Sequence, residues 1–235
     1  MSHWLVEETS DGSRTLRSQR FAQCCHSSAG ARAETLYVSL ELSGVTARLR
    51  AGAATRVLEI GFGTGLGWLL SADEALSAGA ALEFVALERD LLDAPTLREL
   101  GSAAHLRHPE LEDALASWIE PTPSTGTARF EIAPRLALEL YLGDARERVR
   151  ELPRASFDAC YLDPVSPDVN PELWTEEFLG DVVAALRPGA MLSSYCVQGA
   201  VRRRLQALGL QVEKRPGLGK KREVLVARKP VDSAT

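Results

Sequence analysis

From residue 56 onward, short apolar runs alternate with stretches of helical spacing. Val57-Leu58-Glu59-Ile60 predicts a buried strand, and the glycines at 61, 63 and 65 turn it into a helix over 64–78. A second strand follows over 82–87, then helical spacing over 94–120, broken around His108-Pro109. Pro121-Thr122-Pro123-Ser124-Thr125-Gly126 reads as a loop. Strands are expected over 129–132, 136–142 and 157–162, with a short helix over 144–152 before the last of them. A helix over 174–186, a turn at Arg187-Pro188-Gly189, a strand over 191–196 and a helix over 199–207 come next. The last strands, 210–214 and 223–227, are expected to pair. This alternation predicts an α/β fold with a mainly parallel sheet and helices on both faces.

Residues 1–50 do not share the alternation. Asp11-Gly12-Ser13, between Leu5-Val6 and Thr15-Leu16, predicts a hairpin turn. Residues 33–49 read as one helix with Leu36, Leu40 and Val45 on a face. The expected organisation is an extension over 1–50 packed near a ligand site, a catalytic domain over 51–230 and a disordered tail over 231–235. No internal repeat is visible.

In a doubly wound sheet, ligands lie at the carboxyl ends of the strands. Four predicted strand ends carry chemistry there. They are Glu59 with Gly61-Phe62-Gly63-Thr64-Gly65, then Glu88, then Gly143-Asp144-Ala145, and Asp163 in Tyr161-Leu162-Asp163-Pro164. An acidic residue before a glycine turn, and a second about twenty residues later, is the spacing of a nucleotide-type cofactor site. The acidic character suits S-adenosylmethionine, which bears an ammonium and a sulfonium and no phosphate. Glu88 is then expected to hold ribose hydroxyls, Asp144 and the Ala145 N–H the adenine, and the glycine turn the methionine part. Asp163, near the transferable methyl, suits an amine acceptor that must lose a proton before it attacks. Plainer readings stand beside these. The turn need hold no ligand, Asp144 is placed to cap a helix, and Asp163 to cap a loop.

The chain has 235 residues, 45% hydrophobic and 25% charged, ordinary for one sizeable globular domain. No apolar run is long enough to span a bilayer, and the start Met1-Ser2-His3-Trp4 lacks the basic and apolar regions of a secretory signal. A cytoplasmic location is expected. Cys24, Cys25, Cys160 and Cys196 form no Cys-x-x-Cys pair and the four histidines are scattered, so no metal is expected. Net charge is −5, yet Arg202, Arg203, Arg204, Lys214, Arg215, Lys220, Lys221, Arg222, Arg228 and Lys229 crowd the last part of the chain. Such a run is either a solvated face or a phosphate-contacting one.

Several segments together resemble one family. They are Ser27-Ser28-Ala29-Gly30-Ala31-Arg32-Ala33-Glu34, Gly61-Phe62-Gly63-Thr64-Gly65-Leu66, Gly143-Asp144-Ala145, Asn170-Pro171-Glu172-Leu173-Trp174-Thr175 and Gly217-Leu218-Gly219-Lys220-Lys221-Arg222-Glu223. Arg187-Pro188-Gly189 and Gly199-Ala200-Val201-Arg202-Arg203 add to them. The family is the methyltransferase that completes 5-methylaminomethyl-2-thiouridine at the tRNA wobble position, as the amino-terminal half of MnmC or as free-standing MnmD. The resemblance implies a class I, Rossmann-like methyltransferase with a seven-stranded sheet. It implies N-methylation of the 5-aminomethyl group with S-adenosyl-L-methionine as cofactor, and it places the catalytic aspartate on Asp163. It also implies tRNA phosphate contacts at Arg202, Arg203, Lys220, Lys221 and Arg222. Because the chain ends at Thr235, a separate enzyme is expected to make the aminomethyl precursor. The chain departs from the family's usual residues at Cys25, Gly67 and Pro164-Val165. Other acceptors left open are another RNA base and a small-molecule amine. Asp163-Pro164 also resembles the Asp/Asn-Pro-Pro-Tyr/Phe motif, but Val165-Ser166 supplies no aromatic to stack on a base. A non-catalytic, cofactor-binding partner protein is the third reading.

Overall fold

A computed structural model describes residues 4–19, 23–219 and 222–231. The chain opens with a small antiparallel sheet of β1 (Trp4–Glu8), β2 (Arg14–Ser18) and β3 (Gln23–Cys24). The hairpin turns at Asp11-Gly12 as its sequence predicts, with Trp4 opposite Ser18 and Glu8 opposite Arg14. The helix expected over 33–49 is in pieces. Helix α1 (Ala31–Glu34) runs into a π-helical segment, Thr35–Glu41, and α2 (Val45–Arg50) starts afresh. Gly44, at φ +79°, breaks it, a conformation that ends a helix and that glycine adopts without steric cost.

The main sheet is built from β4 (Thr55–Ile60), β5 (Leu82–Glu88), β6 (Gly126–Ala133), β7 (Leu136–Leu142), β8 (Phe157–Leu162), β9 (Leu186–Ser194), β10 (Gln211–Pro216) and β11 (Glu223–Arg228). Helices α3 (Leu66–Ala78), α4 (Ala94–Leu100), α5 (Glu110–Ile119), α6 (Ala145–Arg148), α7 (Glu176–Ala185) and α8 (Gly199–Ala207) connect them. The sheet order is β10-β11-β9-β8-β4-β5-β7-β6, eight strands against an expectation of seven. β6, which covers the strand expected over 129–132, pairs antiparallel with β7 at the edge. The five central strands are parallel, and β10 and β11 form the expected antiparallel pair.

Side chains alternate across the sheet and feed two cores. Val57, Phe84, Leu138, Ala159 and Tyr161 pack with α3, α5 and the amino-terminal helices. Leu58, Ile60, Val85, Cys160, Leu162 and Leu225 pack with α7 and α8. Leu16, Ala31, Leu40 and Val45 belong to the first core, so the amino-terminal segment is continuous with it. Two boundaries differ from expectation. Arg187-Pro188-Gly189 lies inside β9, where pairing jumps from Phe157–Leu186 to Ala159–Met191. A bulge accommodates a proline that cannot donate to the ladder. The helix expected from 174 is a 3₁₀ turn over Pro171–Trp174, and α7 begins after Thr175, whose hydroxyl accepts from the Phe178 N–H at 3.2 Å.

Among the described residues no helix is long and apolar enough to cross a membrane. The four cysteines form no disulfide among the described residues; Cys24 and Cys25 are half-buried, and Cys160 and Cys196 are buried.

Asp11 ties the hairpin to α1. Its carboxylate accepts from the Ser13 N–H at 3.0 Å, the Thr9 hydroxyl at 2.8 Å and the Ala33 N–H at 2.9 Å. Burial opposes ionisation, but bonds from the Ser13 hydroxyl, the Ala33 and Ser13 N–H groups and the Thr9 hydroxyl outweigh it and hold the pKa at about 2. A carboxyl depressed from its unfolded value of about 3.9 stabilises the fold above that pH and loses this contribution as pH falls towards 2. Asp11→Asn is therefore expected to lower stability at pH 7 by about 1 kcal/mol. Denaturant titration of the two proteins should show the gap closing between about pH 4 and pH 2.

Candidate active site

A cavity of about 330 Å³ opens at the carboxyl ends of β4, β5, β7 and β8. The sheet order places β4 between β5 and β8, and the helices that follow β4 and β8 pack on opposite faces, so the site lies at a topological switch point. Glu59, Gly61, Phe62, Gly63, Thr64, Glu88, Asp144, Ala145 and Asp163 all line it. Gly65 does not. It caps α3 at φ +72°, and a Cβ there would press on the Phe62 ring and Leu115 at 3.2 Å. The other glycines differ in what they permit. A Cβ on Gly61, φ +89°, would come within 3.2 Å of the Asp163 carbonyl, so this glycine lets the loops after β4 and β8 touch. Gly63, φ +53°, faces open space.

The carboxylates are held in different ways. Glu88 accepts from three backbone N–H groups, Gly63 at 2.9 Å and Arg89 and Asp90 at 2.8 Å. That ties the end of β5 to the glycine turn and leaves about one of its four acceptor positions for a ligand. Asp144 caps α6 through the Arg146 N–H at 2.9 Å and pairs with the Arg146 guanidinium. The Arg146 side chain is the main reason its pKa falls to about 2. Asp144 thus caps the helix, as the plainer reading expects, while lining the cavity.

Glu59 is 5% exposed, and its Oε2 has no hydrogen-bond partner. It points to the α3 side of the sheet, where a Cβ on Gly67 would collide with its Oε1. Glycine at 67 is thus the counterpart of an inward-turned Glu59. Burial, with the nearby charges of Asp163 and Glu88, raises its pKa well above the usual carboxylate range. The same surroundings keep the Cys25 thiol neutral, with burial, Asp163 and Glu88 pushing its pKa to about 12.

Asp163 leaves β8 with its N–H donating to the Ile60 carbonyl at 3.2 Å. The wall facing it comes from the amino-terminal segment, with Leu16, Gln23, Cys25, Ser27 and Glu34 on the cavity. Glu34 accepts from the Ser27 N–H at 2.6 Å and shapes that wall. Asn170, Leu173 and Tyr195 close the other side. These residues carry no strand-end signal. Ser27, Glu34, Asn170 and Leu173 are marked in the sequence only by the motifs they belong to.

Arg202, Arg203 and Arg222 lie outside the cavity lining. Leu225 pairs with Ser194 and Arg228 with Met191, so β11 starts level with the carboxyl end of β9. The β10–β11 turn therefore rises on the cavity side. There the Tyr37 hydroxyl donates to the Pro216 carbonyl at 2.9 Å, and Gly219 packs on Ala29. Arg222 is exposed at the end of this turn, while Lys220 and Lys221 lie outside the described residues. Arg203 is exposed and Arg202 half-buried on α8. Among the described residues no group of three or more His, Cys, Asp or Glu is arranged to hold a metal.

Residues 107–230 match the family described as S-adenosyl-L-methionine-dependent methyltransferase. The chain is 34% identical over 226 residues to the tRNA 5-methylaminomethyl-2-thiouridine biosynthesis bifunctional protein MnmC of Aromatoleum aromaticum, covering 94% of this chain and 34% of that protein. The protein of the same name from Ralstonia nicotianae is 34% identical over 218 residues, covering 91% and 33%. The chain thus spans about a third of the length of these relatives. Among solved structures, MNMC2 from Aquifex aeolicus aligns with a TM-score of 0.80 at 28% identity, covering 100% of this chain and 74% of that one. Human methyltransferase-like protein 13 in complex with SAH aligns at 0.50 and 17% identity, covering 85% and 82%, a likeness of fold.

An ammonium placed against Glu59 favours its ionised form. Binding of S-adenosylmethionine is therefore expected to release a proton, with affinity rising as pH increases, because the carboxyl starts with a raised pKa. Calorimetry in buffers of different ionisation enthalpy should read that release. Glu59→Gln should abolish it and weaken binding at least about tenfold.

Proposed function

The chain belongs to the family of S-adenosyl-L-methionine-dependent methyltransferases, and on that premise we propose that it methylates the primary amine of 5-aminomethyluridine or its 2-thio form at the tRNA wobble position. One observation carries the reading. Asp163 stands beside the glycine turn in the cavity that also holds Glu59, Glu88 and Asp144. The likeness to MnmC, in two relatives over nine-tenths of the chain, supports the choice of acceptor.

The residues present fit the cofactor. The unpartnered Glu59 oxygen suits its ammonium, the remaining acceptor position of Glu88 a ribose hydroxyl, and Asp144 with the Ala145 N–H the adenine edge. The open face of Gly63 leaves room for the chain between them. When bound, the cofactor supplies a methyl group on a sulfonium. The chain's own task is to present a nitrogen lone pair in line with it. At neutral pH a primary alkylamine is mostly an ammonium. Asp163 draws that cation in and takes one proton from its nitrogen, which leaves the lone pair free. General-base assistance of this kind contributes on the order of 10²–10⁴ in rate. Alignment of amine and methyl by the cavity walls adds to it.

A tRNA reaches this cavity past the β10–β11 turn, so Arg222, with Arg202, Arg203, Lys220 and Lys221, is assigned to its phosphates. The amine must be free before transfer, so a separate step that unmasks it comes first. Such work belongs in the cytoplasm.

The test is methyl transfer from S-adenosylmethionine to tRNA bearing the 5-aminomethyl nucleoside, followed by nucleoside mass spectrometry. Wild type should yield the 5-methylaminomethyl product. Asp163→Asn should bind cofactor normally and lose about 10² or more in kcat. Absence of product with cofactor binding intact overturns the acceptor, and near-normal turnover of Asp163→Asn removes that residue from the mechanism. Arg222→Glu is expected to weaken tRNA binding and flatten the plot of log K against log salt by about one unit, leaving cofactor affinity unchanged.

A further inference from the structure

The backbone that carries Asp163 is irregular, so its polar groups need partners outside the strand ladder. Three carbonyls around it accept from side chains. Ser194 Oγ donates to the Leu162 carbonyl at 2.7 Å, Tyr195 Oη to the Pro164 carbonyl at 2.7 Å, and Trp174 Nε1 to the Val165 carbonyl at 2.9 Å. These donors are themselves fixed. Trp174 is fully buried, meets the Tyr195 ring edge-on at 6.3 Å and 89°, and has its own carbonyl held by Arg204 Nη1 at 2.7 Å. From across the cavity Gln23 Nε2 donates to Ser166 Oγ at 2.9 Å.

The two bonds nearest Asp163 bracket it. Ser194 holds the peptide before it, through the Leu162 carbonyl. The peptide after it leads into Pro164, whose ring locks φ and removes one of the two soft backbone angles. A proline is a stiff link, so anchoring its carbonyl anchors the residue before it. We infer that Tyr195 is a positioning residue for Asp163: its hydroxyl, by holding the Pro164 carbonyl, sets the direction from which the Asp163 carboxylate meets the acceptor amine. Burial, with Asp163 the next contributor, raises the pKa of the phenol, which keeps it a protonated donor. The inference rests on the assignment of Asp163 as the group that receives the amine.

Tyr195→Phe keeps the ring and its contact with Trp174 and removes only the hydroxyl. In the cofactor-loaded protein, amide hydrogen exchange over residues 163–169 should quicken at least tenfold, with the strands of the sheet unchanged. With aminomethyl tRNA, kcat should fall by tenfold to 10²-fold, the cost of a misplaced reacting group, with KM for tRNA and cofactor affinity within about twofold of wild type. Ser194→Ala, which frees the Leu162 carbonyl, should reproduce both effects. Unchanged exchange over 163–169 overturns the inference, as does an unchanged kcat. So does a raised KM for tRNA at normal kcat, which would make Tyr195 a substrate contact. If wild type gives no product on this tRNA, the substrate reading has failed, and hydrogen exchange alone then decides the positioning role.

Discussion

Glu59, Glu88, Asp144 and Asp163 are four of the carboxylates that line one cavity of about 330 Å³, and gathering them there is the constraint to which the surrounding structure responds. Like charges in a confined site raise one another's pKa unless each finds a donor or stays neutral. Each carboxylate here meets the problem differently. Glu88 is wrapped by three N–H groups, and Asp144 is paired with Arg146. Glu59, buried and lacking a partner for Oε2, is pushed towards its neutral form. Asp163 stands at the strand end, where side chains hold the carbonyls on either side of it. The proposed assignment matches the ammonium, the ribose hydroxyls and the adenine edge of the cofactor to three of these groups and the acceptor amine to the fourth.

The sheet supplies the frame in which those groups converge. Parallel strands deliver their carboxyl ends to one rim, and the order β5-β4-β8 opens the rim at the glycine turn. The two ends of the chain complete the site from outside the alternating core. The amino-terminal sheet and the π-helical segment form a wall of the cavity, pinned by Asp11 to the start of α1. The β10–β11 turn then packs on Ala29 of the amino-terminal segment, and Arg222 is exposed where that turn ends. Tyr37 on the Pro216 carbonyl and Gly219 on Ala29 join this turn to the amino-terminal segment, and any side chain at 219 would collide with Ala29.

The central strands and most of the acidic and glycine residues that line the cavity at their ends were legible in the chain itself. A buried parallel strand is a continuous apolar run, and its neighbours in sequence, glycine and acidic residues, are local signals. The hairpin at Asp11-Gly12 and the break at His108-Pro109 were readable for the same reason, because turn chemistry acts over a few residues. Errors fell where a non-local partner decides. A helical pattern over 33–49 does not announce that Gly44 will adopt φ +79°, and the turn read at Arg187-Pro188-Gly189 is taken into β9 because β8 is there to pair with it across a bulge.

By itself the sequence determined the α/β class, the strand ends that carry Glu59, Glu88, Asp144 and Asp163, and the basic run near the carboxyl terminus. All of these depend on the identity and spacing of neighbours along the chain. Tertiary structure alone decided that Gly65 packs away from the cavity while Gly61 opens a contact to Asp163, and that Gly67 makes room for Glu59. It alone brought Ser194, Tyr195 and Trp174 to three carbonyls of the Asp163 loop. The physical reason is separation. Tyr195 lies 31 positions from the carbonyl it holds, and no local preference encodes a hydrogen bond whose partners meet only after the sheet has formed.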